Sequence, residues 1–207
     1  MGLKERRERE KQARRRQIID AARSLLFEKG LPATSINQIA KRAELAVGTI
    51  YFYYASKEDL FAELQEEGLQ LLIDRLRQSV SDTDEPGVQL KAMALAYYDF
   101  SREKKDYFDI INYFLSSPQV LLSPDLKQRV DQKTGKILDL IKRVVARGVE
   151  KGVFRENDPE SCGVLLLSAF HGLMQFRKFE ATIFKGASHR DLYCRAVDNL
   201  LNGMAAN

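Results

Sequence analysis

The stretch VGTIYFYYASKEDL, residues 47–60, places Tyr51, Tyr53 and Tyr54 within four positions and follows them with Lys57. A phenol O–H donates to a phosphate oxygen, its ring lies along a sugar, and an ammonium adds charge. Together they suit a phosphodiester backbone. Lys57 is also oddly placed. Ser56-Lys57-Glu58-Asp59 predicts a helix start, where a cation opposes the helix dipole at about 0.3–1 kcal/mol. A phosphate at the same N-terminus turns that liability into a binding site. The opposing reading packs the tyrosines against neighbouring helices and leaves Lys57 in water; it is the preferred one for Tyr54, whose position faces a core.

Other chemistry is thin. His171 and His189 are the two histidines, and no spacing resembles a metal site. Cys162 and Cys194 are far apart, as expected of reduced thiols in a cytoplasmic protein. There is no GxxxxGK[ST], GxSxG or CxxC, and Ser101-Arg102-Glu103-Lys104 matches SxxK without its partner motifs. Neither an enzyme nor a cofactor is expected.

The elements that must hold the tyrosine stretch are helical. Ile18, Ile19, Ala22, Leu25 and Leu26 recur at helical spacing, and Gly30 with Pro32 ends that helix. Its charged start either extends back to about Lys4 as helix or forms a mobile basic arm over 1–12. Ser35-Ile36-Asn37-Gln38 fits a capping box opening a short helix to about Ala43. Glu44-Leu45-Ala46 breaks it, and a second short helix covers about 47–53. A fourth helix runs to about Val80, and SDTDEPG at 81–87 is a linker. Beyond it the pattern predicts helices over 87–104, 106–116, 124–151, 158–183 and 189–203, with breaks at Ser116–Pro118, Gly152, Asp158-Pro159 and Lys185-Gly186. The fold class is all-α, with about nine helices and no strand alternation. The longest apolar run, VLLLSAF at 164–170, is too short to span a membrane.

Charge points the same way as the tyrosines. Of the net +4 over 207 residues, residues 1–60 carry +5 and the rest −1. An anionic partner for the N-terminal third follows, nucleic acid first among candidates, against a merely solvated basic face. Two short helices joined by a tight turn behind a longer helix make a helix-turn-helix, whose second helix enters the major groove. Ile50 anchors that recognition helix on Ile39 and Leu25. A two-turn helix cannot also bury Val47, Gly48, Thr49, Tyr51, Phe52 and Tyr53.

In order, IIDAARSLLFEKG, TSINQIAKRA and VGTIYFYYASKEDLFAEL make residues 14–64 resemble the DNA-binding domain of the TetR/AcrR family of bacterial transcriptional regulators. Departures are Glu44 where the family has glycine in the turn, Ala46 where it often has serine, and Tyr54 where phenylalanine is usual. The resemblance implies a DNA-binding domain over 1–56 and an effector-binding and dimerisation domain over 57–207, linked by the helix at 57–80. It implies DNA contacts from Ser35 and Asn37, groove-facing Val47, Gly48, Thr49 and Phe52, and a phosphate clamp of Tyr51, Tyr53 and Lys57. Few of these read bases by hydrogen bonds, so DNA shape or the basic N-terminal segment is expected to add specificity. The alternative for that segment is a solvated helix with Glu–Arg pairs such as Glu5–Arg9.

For the body the resemblance implies a homodimer on a near-palindromic double-stranded operator and a small-molecule effector. SCGVLLLSAFHGLMQFRKF, 161–179, is apolar around most of its circumference, which suits a dimer interface over about 158–203. Tyr97, Phe100, Phe108 and Asn112, with Phe170, His171 and Met174, are the expected effector-pocket residues; simple core packing is the other reading. The expected function is a ligand-responsive homodimeric repressor, released by a hydrophobic or aromatic effector. A constitutive DNA-binding regulator and an activator are the alternatives.

Overall fold

The computed structural model describes residues 2–116, 123–155, 158–184, 186 and 188–206. Among these, the α-helices are α1 (Leu3–Lys29), α2 (Ile36–Arg42), α3 (Val47–Tyr53), α4 (Lys57–Gln78), α5 (Pro86–Glu103), α6 (Lys105–Ser116), α7 (Pro124–Glu150), α8 (Pro159–Gln175) and α9 (His189–Met204). No strand occurs among the described residues; an isolated bridge pairs Phe154 with Ala205. The all-α expectation holds. No helix among them is long and apolar enough to cross a membrane.

Two compact units divide the chain: Met1–Leu69 with Asp106–Asp131, and Gln70–Lys105 with Gln132–Asn207. In the first, Ile18, Ala22, Leu25 and Leu26 of α1 meet Ile36, Ile39 and Ala40 of α2, Ile50 of α3, Leu60, Phe61 and Leu64 of α4 and Ile110 of α6. In the second, Tyr98 on α5 and Phe170 on α8 are buried with Tyr193 on α9, whose hydroxyl donates to the Ala94 carbonyl at 2.9 Å.

Local signals act as their chemistry demands. Gly30 takes φ 77° and its N–H caps Leu26 at 2.8 Å, closing α1. Ser35 and Gln38 form the reciprocal capping box. Ser56 Oγ accepts from the Asp59 amide at 2.9 Å, opening α4 at Lys57. The N-terminal segment is helix: α1 begins at Leu3, and its first turns are exposed.

One helix end is corrected. The apolar run predicts helix to 183, yet α8 stops at Gln175, tightens into a 3-10 helix at Phe176–Phe179 and gives way to turns. His189 offers a local reason. Its backbone N–H donates to Glu180 at 2.8 Å, its Nε2 meets the Leu173 carbonyl at 2.9 Å, and its ring stacks on Tyr98 and Phe184. Those contacts draw the chain around the imidazole. Among the predicted breaks, Ser117, Pro118 and Lys185 lie outside the described residues.

Glu44 is the strained position. It holds φ 54° in the turn between α2 and α3, a conformation that costs an ordinary side chain on the order of 1–3 kcal/mol. Glycine returns about 0.5–1 kcal/mol of this through its own chain entropy. Glu44→Gly is therefore expected to stabilise the protein by roughly 0.5–1 kcal/mol, read as a raised urea midpoint. An unchanged or lowered midpoint would show that the exposed Glu44 side chain compensates for its backbone.

Candidate nucleic-acid interface

The tyrosine stretch forms α3 and the start of α4. Within α3, Ile50 alone is buried, at 0% exposure. Helical geometry then forces the neighbouring side chains outward. Phe52 is 79% exposed, Tyr51 53% and Val47 37%. Gly48 is exposed and Thr49 half-buried. Tyr53 leans on the core below, with its ring edge-on to Phe52 at 5.2 Å. A phenylalanine left almost entirely in water on a seven-residue helix is costly unless something covers it.

Tyr54 is the buried tyrosine, as its core-facing position predicts. Its ring lies 5.1 Å from the Arg15 guanidinium. Burial, then the Glu63 carboxylate, pushes its phenol well above the ordinary range, so it is neutral at any physiological pH. Lys57 is half-buried, with Nζ 5.1 Å over the Phe61 ring. That contact holds the ammonium at the first turn of α4 instead of leaving it to sweep through solvent.

Ser35, the N-cap of α2, and Asn37 in its first turn are exposed. Sequence reasoning does not single out Lys41, yet it is exposed and falls four residues after Asn37, on the same helical face. That i,i+4 spacing is the signal that finds it. Tertiary structure subtracts other cations. Arg15 binds Glu63 at 2.7 Å, Arg23 binds Glu67 at 2.8 Å, and Arg42 binds Glu28 and Ser24 at 2.6 Å. These arginines fasten α1 to α2 and α4. Arg7, Arg9, Lys11 and Arg16 are exposed on α1.

A polar chain then ties α4 to its neighbours. Glu67 accepts from Arg23 of α1 and from the Tyr107 hydroxyl of α6 at 2.7 Å. Burial, and then the Glu67 hydrogen bond, push the Tyr107 phenol up to about 12. Gly68 makes the approach possible, because a Cβ there would stand 3.0 Å from that of Tyr107. The helix that begins with Lys57 is thus pinned in mid-length to α1 and α6.

Residues 18–64 match the family model described as "Bacterial regulatory proteins, tetR family". Over that segment the chain carries the TetR-family regulatory domain. It is a DNA-binding transcriptional regulator, like its relatives, which are not enzymes. It is similar to the fatty acid metabolism regulator protein of Bacillus subtilis, 29% identical over 140 residues, 68% of this chain and 70% of that one. Among solved structures, FadR from Bacillus subtilis in complex with stearoyl-CoA superposes with TM-score 0.70 at 20% identity, covering 91% of this chain and 98% of that one. AibR, solved with isovaleryl coenzyme A and operator DNA, gives TM-score 0.68 at 18% identity, covering 91% and 98%. At such identities the superpositions show the shared fold.

The seven residues expected around an effector divide between the units. Tyr97, Phe100, Phe170, His171 and Met174 lie in the second unit, and Phe108 and Asn112 in the first. Tyr97 Oη meets His171 Nδ1 at 2.8 Å, and Met174 Sδ accepts from Ser101 at 3.3 Å. Phe100, Phe108 and Phe170 are buried; Asn112 is half-buried and accepts from Ser116 at 3.3 Å. A separate cleft of about 490 Å³ in the second unit is lined by none of the seven.

Burial lowers the His171 pKa below its ordinary value of 6.5. The folded chain then binds fewer protons here than the unfolded one, so this group's contribution is complete above 6.5 and is lost as pH falls below it. Replacing His171 by glutamine is expected to flatten the fall in melting temperature between pH 7 and pH 5. Parallel pH profiles for the two proteins would place the acid sensitivity elsewhere.

Proposed function

We propose that this regulator is a homodimeric repressor that binds a near-palindromic operator and leaves it when a small molecule occupies the body. The observation that carries the DNA half is α3, which commits Ile50 to the core and exposes Val47, Gly48, Tyr51 and Phe52 together. In this reading Val47, Gly48, Thr49 and Phe52 enter the major groove, with apolar side chains against thymine methyls. Ser35, Asn37 and Lys41 approach from α2. Tyr51, Tyr53 and Lys57 hold phosphates on either side.

Dimerisation is supported by the apolar surface of the α8–α9 region. Leu165 is 67% exposed, with Val164, Phe176, Ile183 and Leu200 also exposed. Such a face, within residues 158–203, suits the pairing surface of a second copy. Two heads then meet successive major grooves about 34 Å apart.

Release is supported by the construction of α4. It begins with the clamp residue Lys57, is pinned at Glu67, and continues to Gln78. A ligand that prefers one position of this helix shifts the spacing of the heads; a tenfold to hundredfold loss of operator affinity needs about 1.4–2.7 kcal/mol of differential binding. The relatives solved with stearoyl-CoA and isovaleryl coenzyme A favour an effector with an acyl part. The mostly apolar Tyr97–Met174 set, with the Tyr97–His171 pair as polar handle, suits its hydrophobic portion.

The test is a mobility shift on DNA upstream of the protein's own gene and on operators selected from random DNA, with salt and candidate ligands titrated. Specific dimeric binding with a steep salt slope, reversed by a ligand, is the expected result. Binding that no ligand reverses would identify a constitutive regulator, and binding only with ligand a ligand-dependent one. Absence of specific binding on every operator would remove the DNA reading.

A further inference from the structure

The cleft of about 490 Å³ in the second unit has an unusual lining. Arg77 from the end of α4 and Arg143 and Arg147 from α7 share it with Val80, Met93, Leu140 and Val144. Asp82 and Gln89 complete it. Three guanidinium groups thus stand against one carboxylate, on an apolar floor from three segments.

The three arginines are not equivalent. Arg147 is structural: it donates to the Asp82 carbonyl at 3.3 Å, to the Asp84 carbonyl at 3.5 Å and to the buried Gln89 side chain. Those bonds hold the turn that leads into α5. Arg143 is exposed and has no partner among the described residues. Arg77 is exposed and, among the described residues, reaches only Asp74, at 4.0 Å. Asp82 extends fully into solvent, 4.0 Å from Arg147, and neutralises little. Two guanidinium forks are therefore available beside a third that is fixed.

A single carboxylate is satisfied by one bidentate arginine. Several arginines around one cleft match an anion with several charged oxygens, for which the planar fork is the preferred donor. Beneath the guanidinium groups lie Val80 and the buried Met93, Leu140 and Val144, an apolar base that a short length of hydrocarbon fits better than water does. Met93 lies one turn before Tyr97 on α5. Occupancy would also touch α4 directly, through Arg77.

We propose that this cleft binds the phosphate-bearing head of an amphiphilic effector, with Arg77 and Arg143 as its anion ligands and the start of its apolar tail on Met93, Leu140 and Val144. This rests on the effector-responsive reading above and names the chemistry of that effector. A simple alkyl phosphate carries its phosphate at the start of the tail; a nucleotide-linked acyl thioester carries its phosphates at the far end of a linker, which then takes the place of the tail's first carbons on the floor.

The test uses the full-length protein and calorimetric titration with lauroyl-coenzyme A, monododecyl phosphate, laurate, coenzyme A and inorganic phosphate. At least one of the first two is expected to bind at least about tenfold more tightly than laurate, coenzyme A and phosphate. Lauroyl-coenzyme A alone would identify the nucleotide thioester as the source, and monododecyl phosphate alone the simple phosphate ester. The double substitution Arg77→Gln, Arg143→Gln is expected to remove at least about tenfold of that affinity, and to leave laurate affinity and the melting temperature unchanged. Arg147 is left intact because its loss would disturb the turn. Equal affinity for laurate, full affinity in the double variant, or no binding of either phosphate amphiphile would each overturn the proposal. Operator binding measured on the same samples separates the two readings. An intact DNA complex without ligand binding sinks only the cleft, and ligand binding without any operator sinks only the regulatory reading.

Discussion

Replacing both Tyr51 and Lys57 with alanine is expected to weaken operator binding by at least about 100-fold near physiological salt, with the protein still folded. Tyr51 is half in solvent and Lys57 contacts only the Phe61 ring among the interactions seen, so their loss leaves the core intact. In the DNA complex each head loses a hydroxyl donor and a cation, and a dimer loses two of each. The two substitutions separate by their salt dependence. Lys57→Ala reduces the slope of log K against log salt by about 0.9 for each phosphate contact it made, or nearly 2 per dimer. Tyr51→Phe keeps the slope and lowers affinity uniformly at all salt concentrations, because the lost partner is neutral. Fluorescence anisotropy on a selected operator reads both. Native affinity and slope in the double variant would mean that these side chains face something other than phosphate.

Ile50→Ala is expected to be the most damaging single change in the head, costing about 2–5 kcal/mol of stability and abolishing operator binding. The seven residues of α3 depend on this side chain: Ile50 is wholly buried among residues of α1, α2 and α4, while Ala46 supplies no side-chain cap and Glu44 strains the preceding turn. A helix so short has no stability of its own. The loss is a meaningful share of the roughly 5–15 kcal/mol that holds a typical domain. Ile50→Val, which removes one methyl group, should cost only about 0.5–1.5 kcal/mol and keep binding. Chemical denaturation with operator binding on the same samples checks both. An Ile50→Ala protein of native stability would mean that α3 is held by its neighbours in the chain and not by its anchor.

The sequence by itself determined the head. Ile18 to Leu26 at helical spacing, the Ser35–Gln38 box, Gly30 and Ser56 are local signals, and each fixes a boundary through contacts within a few residues. The strain at Glu44 was signalled only by the resemblance, which has glycine at that turn position; its φ of 54° is a finding of the structure. Exposure of Tyr51 and Phe52 followed from one buried anchor on a two-turn helix.

Only the tertiary structure decided which charges remain for a partner. Arg15, Arg23 and Arg42 count as basic patch in the sequence, but Glu63, Glu67 and Glu28 claim them across 48, 44 and 14 residues. The body behaves likewise. The end of α8 depends on His189 reaching back to Leu173 and Glu180, and Arg77, Arg143 and Arg147 share a cleft although 66 residues separate the first two. No period or capping rule carries such pairings. They arise from which helix faces meet, a choice made by packing over the whole chain.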